Sequence, residues 1–106
     1  MYTLKRTSEF NKWLKSLKNP IAKKSVLSRI HRLEVFGHFG DIDNVGDGIL
    51  ELRIHNHGGI RVYLMQKGDT IIVLLSGGDK SSQDDDIVKA KKIAKEYGVL
   101  DDEETN

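Results

Sequence analysis

The stretch DGILELRIHNHGGIRVYLMQKGDTIIVLLSGGDKSSQDDDI, Asp47 to Ile87, decides the fold of this chain. From Ile49 to His55 it alternates with a period of two, Leu50, Leu52 and Ile54 on one face and Glu51, Arg53 and His55 on the other, the signature of a strand with one buried face. After the turn Asn56-His57-Gly58-Gly59 the alternation resumes, with Ile60, Val62 and Leu64 against Arg61, Tyr63 and Met65. If Ile54 faces Ile60, antiparallel pairing sets Leu52 opposite Val62, Glu51 opposite Tyr63 and Arg53 directly opposite Arg61. Like charges in that position repel. Water, Glu51 or a bound anion must screen the two guanidinium groups, and phosphate is the anion whose geometry suits them best. Without an anion, the same pattern reads as an arginine ladder on a solvated sheet face.

The next strand, Thr70 to Ser76, is apolar at five consecutive positions from Ile71 to Leu75 and reads as well covered. A two-residue turn at Gly68-Asp69 would place Arg61 opposite Ser76. The following Gly77-Gly78-Asp79-Lys80 then carries Lys80 toward the arginine pair. Ser81 or Ser82 caps a helix whose first turn, Asp84 to Asp86, suits the positive end of the helix dipole. That helix is expected to run to about Tyr97, packing Ile87, Ala90, Ile93, Ala94 and Tyr97 on the sheet and leaving Lys89, Lys91, Lys92 and Lys95 outside.

Upstream, a short strand is expected at Tyr2 to Arg6. A helix from about Ser8 to Lys18 follows, with Phe10, Trp13, Leu14 and Leu17 at helical spacing. Trp13 reads as a core anchor on that spacing. Asn19-Pro20 supplies an N-cap and a first-turn proline for a second helix to about Val35, whose apolar face is Ala22, Val26, Ile30 and Leu33. The glycine- and aspartate-rich segment Gly37 to Gly48 reads as an irregular connection. Its Asp41, Asp43 and Asp47 lack the closing Glu of a calcium loop, and His31, His38, His55 and His57 match no zinc spacing, so no metal and no cofactor is expected.

With 106 residues, 38% hydrophobic and 31% charged, the chain is read as a single domain over 1–100 followed by an acidic flexible tail over 101–106. It has no cysteine, which excludes a disulfide framework and a thiolate metal site. No apolar run reaches the roughly 20 residues of a membrane span, and the start lacks a signal-peptide core, so a cytoplasmic protein away from membranes is expected. The net charge of +1 conceals an asymmetry, because residues 1 to 32 hold nine Lys or Arg against Glu9 alone. Lys12, Lys15, Lys18, Lys23, Lys24, Arg29 and Arg32 are therefore candidate RNA-binding residues, and the same pattern also fits solvated helix faces.

The order strand, helical hairpin, three-stranded antiparallel meander and C-terminal helix, with ELRI, GIRVY and GGDKSSQ in sequence, resembles the RelE/ParE superfamily of bacterial toxins. Over about half the chain the likeness is to its HigB-like branch of phage-derived addiction-module killer proteins. The resemblance implies an α+β fold and a type II toxin–antitoxin toxin that cleaves messenger RNA on the ribosome without a metal. It also implies neutralisation by a helix-turn-helix, HigA-like antitoxin, with DNA contacted only through that complex. Cleavage of this kind uses the 2′-hydroxyl as nucleophile, so the protein must align the strand and stabilise a phosphorane. Arg61 is expected as the main phosphate clamp, with Arg53 beside it and Lys80 as a further cation. Where superfamily nucleases carry a C-terminal Tyr or His, this chain has Gln83 and Asp84 to Asp86, so the proton carrier is left among His55, His57, Asp79 and Asp86. The same fold also serves ParE-like gyrase inhibitors without enzymatic activity, and an inactive toxin acting only with its antitoxin in repression is the remaining alternative.

Overall fold

A computed structural model describes residues 1–55 and 58–105, with side chains as far as residue 98. Asn56, His57 and Asn106 lie outside the described residues, so the expectation for His57 is not addressed. The elements in order are β1 (Thr3–Arg6), α1 (Ser8–Ser16), α2 (Pro20–Phe36), β2 (Ile42–Asn44), β3 (Ile49–Ile54), β4 (Ile60–Lys67), β5 (Ile71–Gly78), a 3-10 turn (Lys80–Ser82) and α3 (Gln83–Thr105). They form a mixed α+β fold with one five-stranded sheet in the order β1-β5-β4-β3-β2. β1 runs parallel to β5, and every other pair is antiparallel.

Local chemistry sets the helix starts. Thr7 accepts from the Phe10 amide at 3.0 Å and donates its hydroxyl to Leu75 O at 2.6 Å, so one side chain caps α1 and ties it to β5. Asn19 accepts from the Ile21 and Ala22 amides at 2.9 and 3.3 Å, with Pro20 as the first helical residue.

The alternation in β3, β4 and β5 splits the interior into two layers. On one face Leu52, Ile54, Ile60, Val62, Leu64, Ile72 and Leu74 meet Phe10, Leu14, Ala22, Val26, Ile30 and Leu33 of the helical hairpin. Burying each of these side chains larger than Ala22 contributes about 1.5–3 kcal/mol. On the other face a smaller cluster joins Ile49, Tyr63, Val73 and Leu75 of the sheet to Ala90 of α3.

The β3–β4 register is the expected one, Ile54↔Ile60, Arg53↔Arg61, Leu52↔Val62 and Glu51↔Tyr63. Three other expectations are corrected. Residues 37–48 are not wholly irregular, because Ile42–Asn44 pairs with Leu50 to Leu52 as an edge strand. Arg61 stands opposite Gly78, not Ser76. The turn holds three residues between the Lys67↔Ile71 pair, and the register then shifts by one at Tyr63/Leu64, leaving Leu75 as the extra residue of a bulge. Finally, α3 runs to Thr105 rather than to about Tyr97, and a 3-10 turn begun by Asp79, whose carboxylate accepts from the Ser81 amide at 2.9 Å, leads into it.

Candidate functional site

The face that carries the arginine pair is not an open solvated surface, since α3 lies across it. Glu51 is fully buried there. A carboxylate in such a place needs donors, and it has them. Tyr63 donates its hydroxyl to Oε2 at 3.1 Å, Gln83 donates Nε2 to Oε2 at 2.9 Å, and Arg53 donates Nε to Oε1 at 3.2 Å. Arg61 Nε stands 3.8 Å from Oε2. The strand period placed Glu51 beside the arginines, but only the position of Gln83 at the start of α3 shows that it is enclosed. Burial, reinforced by the Glu51 charge, pushes the Tyr63 phenol far above its ordinary value, so it is a fixed donor to Glu51 and does not act as a base.

Arg53 and Arg61 are held differently. Arg53 also pairs with Asp43 of β2 at 2.7 Å, so its guanidinium is shared between two carboxylates. The repulsion expected of the pair is thus relieved by an acid that sequence reading assigned to a loop. The Arg61 side chain is 14% exposed, donates Nη1 to Gly59 O at 2.5 Å, and has its buried Nε without a hydrogen-bond partner among the described residues.

Gly59 brings Arg61 and Lys80 together. It has φ +79°, and a Cβ built on it would stand 3.0 Å from Arg61 Nη1 and 3.4 Å from Lys80 Cβ. Lys80 itself is exposed. On the neighbouring strand, Gly78 faces Asp86, whose Oδ2 accepts from the Ser82 hydroxyl at 2.5 Å. Two cations of opposite ends of the meander, Arg61 and Lys80, therefore flank one glycine at the mouth of the β3–β4 hairpin, with Arg53 across the ladder.

The remaining candidates are dispersed. His55 is exposed and pairs with Asp41, and it lines a groove with α2 residues rather than the arginine side of the sheet. That pairing holds the Asp41 carboxyl below its usual range. Asp79 is engaged by Ser81, which lowers its carboxyl in the same way. Lys12, Lys15, Lys18, Lys24 and Arg32 are exposed on the helical hairpin and Lys23 is half-buried. Arg29 has a structural task, donating Nη1 to Arg53 O at 2.6 Å and Nη2 to Phe39 O at 2.8 Å, which pins α2 to β3 and to the following loop.

On one sheet of this α+β fold a buried carboxylate thus holds one guanidinium, and a second guanidinium lies beside a lysine. Residues 12–97 match the family model described as phage-derived protein Gp49-like (DUF891). The chain belongs to this family, whose members are RelE/ParE-like toxins of toxin–antitoxin modules. An uncharacterized protein of Haemophilus influenzae (strain Rd) is 51% identical over 96 residues, which cover 91% of this chain and 96% of that protein. Among the described residues no helix is long and apolar enough to cross a membrane.

Proposed function

We propose that this toxin is a metal-independent endoribonuclease that cuts messenger RNA at the ribosome and so halts translation until a cognate antitoxin binds it. The observation that carries the reading is the Arg61–Gly59–Lys80 arrangement, in which a guanidinium and a lysine stem meet at one hairpin mouth. Attack of a 2′-hydroxyl on the neighbouring phosphorus, its proton passing to water, builds a dianionic phosphorane and expels the 5′-oxygen of the next nucleotide, which takes up a proton from water. Cations already in place stabilise that charge without reorganising as it forms. In this reading Arg61 binds a non-bridging oxygen, Lys80 neutralises the second charge, and Arg53 contributes its field from across the ladder. Glu51 is a positioning residue, since it is enclosed by donors, accepts a hydrogen bond from Arg53 and faces the Arg61 guanidinium at 3.8 Å.

The chemistry leaves a signature on its product. Cleaved RNA should carry a 2′,3′-cyclic phosphate on one fragment and a 5′-hydroxyl on the other, and EDTA should leave the rate unchanged. Arg61→Ala should lose at least about 100-fold in rate, as for removal of one preorganised oxyanion donor, and Arg61→Lys should recover little because the planar fork is lost. Fragments bearing a 5′-phosphate, or undiminished cutting by Arg61→Ala, would reject this mechanism.

A further inference from the structure

Helix α2 carries a second surface that the arginine site does not use. Ile21 at its start is 65% exposed and Phe36 at its end is 64% exposed. Helical spacing puts Lys24, Ser28 and Arg32 on the same outward face between them, over a length of about 22 Å. Beside this face run two grooves. One, of about 480 Å³, is lined by Ile21, Lys24, Ser28 and Arg32 of the helix with Ile54 and His55 of the sheet. The other, of about 400 Å³, lies between Phe36, His38 and Gly40. Arg29 and Arg32 line both, so the two form one trough with an apolar knob at each end and a cationic centre. Its wall is rigid, because Arg29 is tied to two backbone carbonyls. The acid near its rim, Asp41, is already paired with His55.

We propose that this trough is the docking surface for the module's antitoxin, which lays an acidic amphipathic segment along α2. Its apolar side chains cover Ile21 and Phe36, and its Asp or Glu side chains meet Lys24 and Arg32. The inference rests on the toxin–antitoxin reading of the family. Charge and shape select this occupant over others. A phosphate backbone would complement Lys24 and Arg32 but would gain nothing from an exposed isoleucine at one end, whereas a protein segment uses both knobs as anchors. A second copy of the trough would bring cations against cations in an isologous contact. The trough opens on the helical-hairpin side of the sheet, and Arg61 with Tyr63 lies on the α3 side. Docking and catalysis can therefore be separated by substitution.

The test uses the full-length chain and the antitoxin encoded with it, by titration calorimetry at low and high salt, alongside inhibition of cell-free translation. Ile21→Ser/Phe36→Ser should weaken antitoxin binding by at least about 30-fold and leave translation inhibition at the wild-type level. Arg32→Glu should weaken binding again and flatten its salt dependence. Circular dichroism on both variants establishes that they are folded. Antitoxin affinity within about twofold of wild type in both variants would overturn the proposal. So would a loss of translation inhibition with antitoxin binding intact, which marks an RNA surface. Loss of a wild-type homodimer in the double variant, with antitoxin binding intact, would overturn it in favour of self-association. A wild-type chain that binds no antitoxin would refute the module reading itself and the docking surface with it.

Discussion

Replacing Glu51 by Gln keeps the shape of the buried side chain and removes its charge. The wild-type carboxylate accepts from Tyr63, Gln83 and Arg53 at 3.1, 2.9 and 3.2 Å and faces Arg61 Nε at 3.8 Å. A glutamine can accept from some of these donors, but its amide must point N–H groups at others, and Arg61, 14% exposed, loses its nearest carboxylate. Breaking one side of a buried ion pair is destabilising by about 3–5 kcal/mol. Because Arg53 retains Asp43, the lower end of that range, about 3 kcal/mol, is the expected loss. That is roughly a 150-fold fall in the folding constant at 1.36 kcal/mol per decade, and a drop in Tm on the order of 10–20 °C for a domain of this size. Urea unfolding monitored by circular dichroism reads it directly. Gln83→Ala, which removes only one of the donors, should lose about 1 kcal/mol. If Glu51→Gln unfolds within about 0.5 kcal/mol of wild type, the enclosed charge is not what holds the two arginines to the sheet, and the positioning role given to Glu51 fails.

Other consequences follow from single contacts. A Cβ on Gly77 would stand 2.4 Å from the Trp13 ring, whereas one on Gly78 would meet the tip of Asp86, which can rotate away. Gly77→Ala should therefore lose about 1–3 kcal/mol by overpacking, clearly more than Gly78→Ala in thermal melts, and equal losses would contradict the packing of α1 on β5. Asp41 has its carboxyl lowered below the ordinary 3.8, chiefly by the hydrogen bond with His55. A depressed carboxyl stabilises the fold above its unfolded value and loses that effect as pH falls through the folded one. Wild type should thus melt above Asp41→Asn at pH 6, with the gap closing below about pH 4, and a gap independent of pH would reject the pairing. Gly59→Ala should lower RNA cutting by more than it lowers stability, because the methyl group would stand between Arg61 and Lys80 at φ +79°. Equal activity at matched folded fraction would show that Gly59 does not bring the two cations together.

Much of this fold could be read from alternation alone. Leu50-Glu51-Leu52-Arg53-Ile54 and Ile60-Arg61-Val62-Tyr63-Leu64 specify their faces, and the hairpin then has one register that buries both apolar sets, so Arg53 falls opposite Arg61 without further information. The Asn19-Pro20 boundary was equally plain. What sequence reading missed depends on distant partners. Ile42–Asn44 has too few residues for a period and becomes a strand only because β3 offers an unpaired edge. The bulge at Leu75 lies inside an uninterrupted apolar run, where no alternation marks the skipped residue. Glu51 stood on the legible face beside the arginines, yet its burial depends on α3 folding back to bring Gln83 within hydrogen-bonding distance, a contact between residues far apart in the chain. His55 shows the converse, since alternation put it on the arginine face while its pairing with Asp41 turns it to the strand's edge.

If, as we propose, the Arg61–Lys80 site cuts RNA at the ribosome, a cell-free translation reaction on a defined message tests it most directly. With RNA ends mapped by primer extension, wild-type protein should give discrete cuts within the reading frame that require ribosomes and vanish with Arg61→Ala. An intact message under normal translation, or cuts that persist in Arg61→Ala, would contradict it.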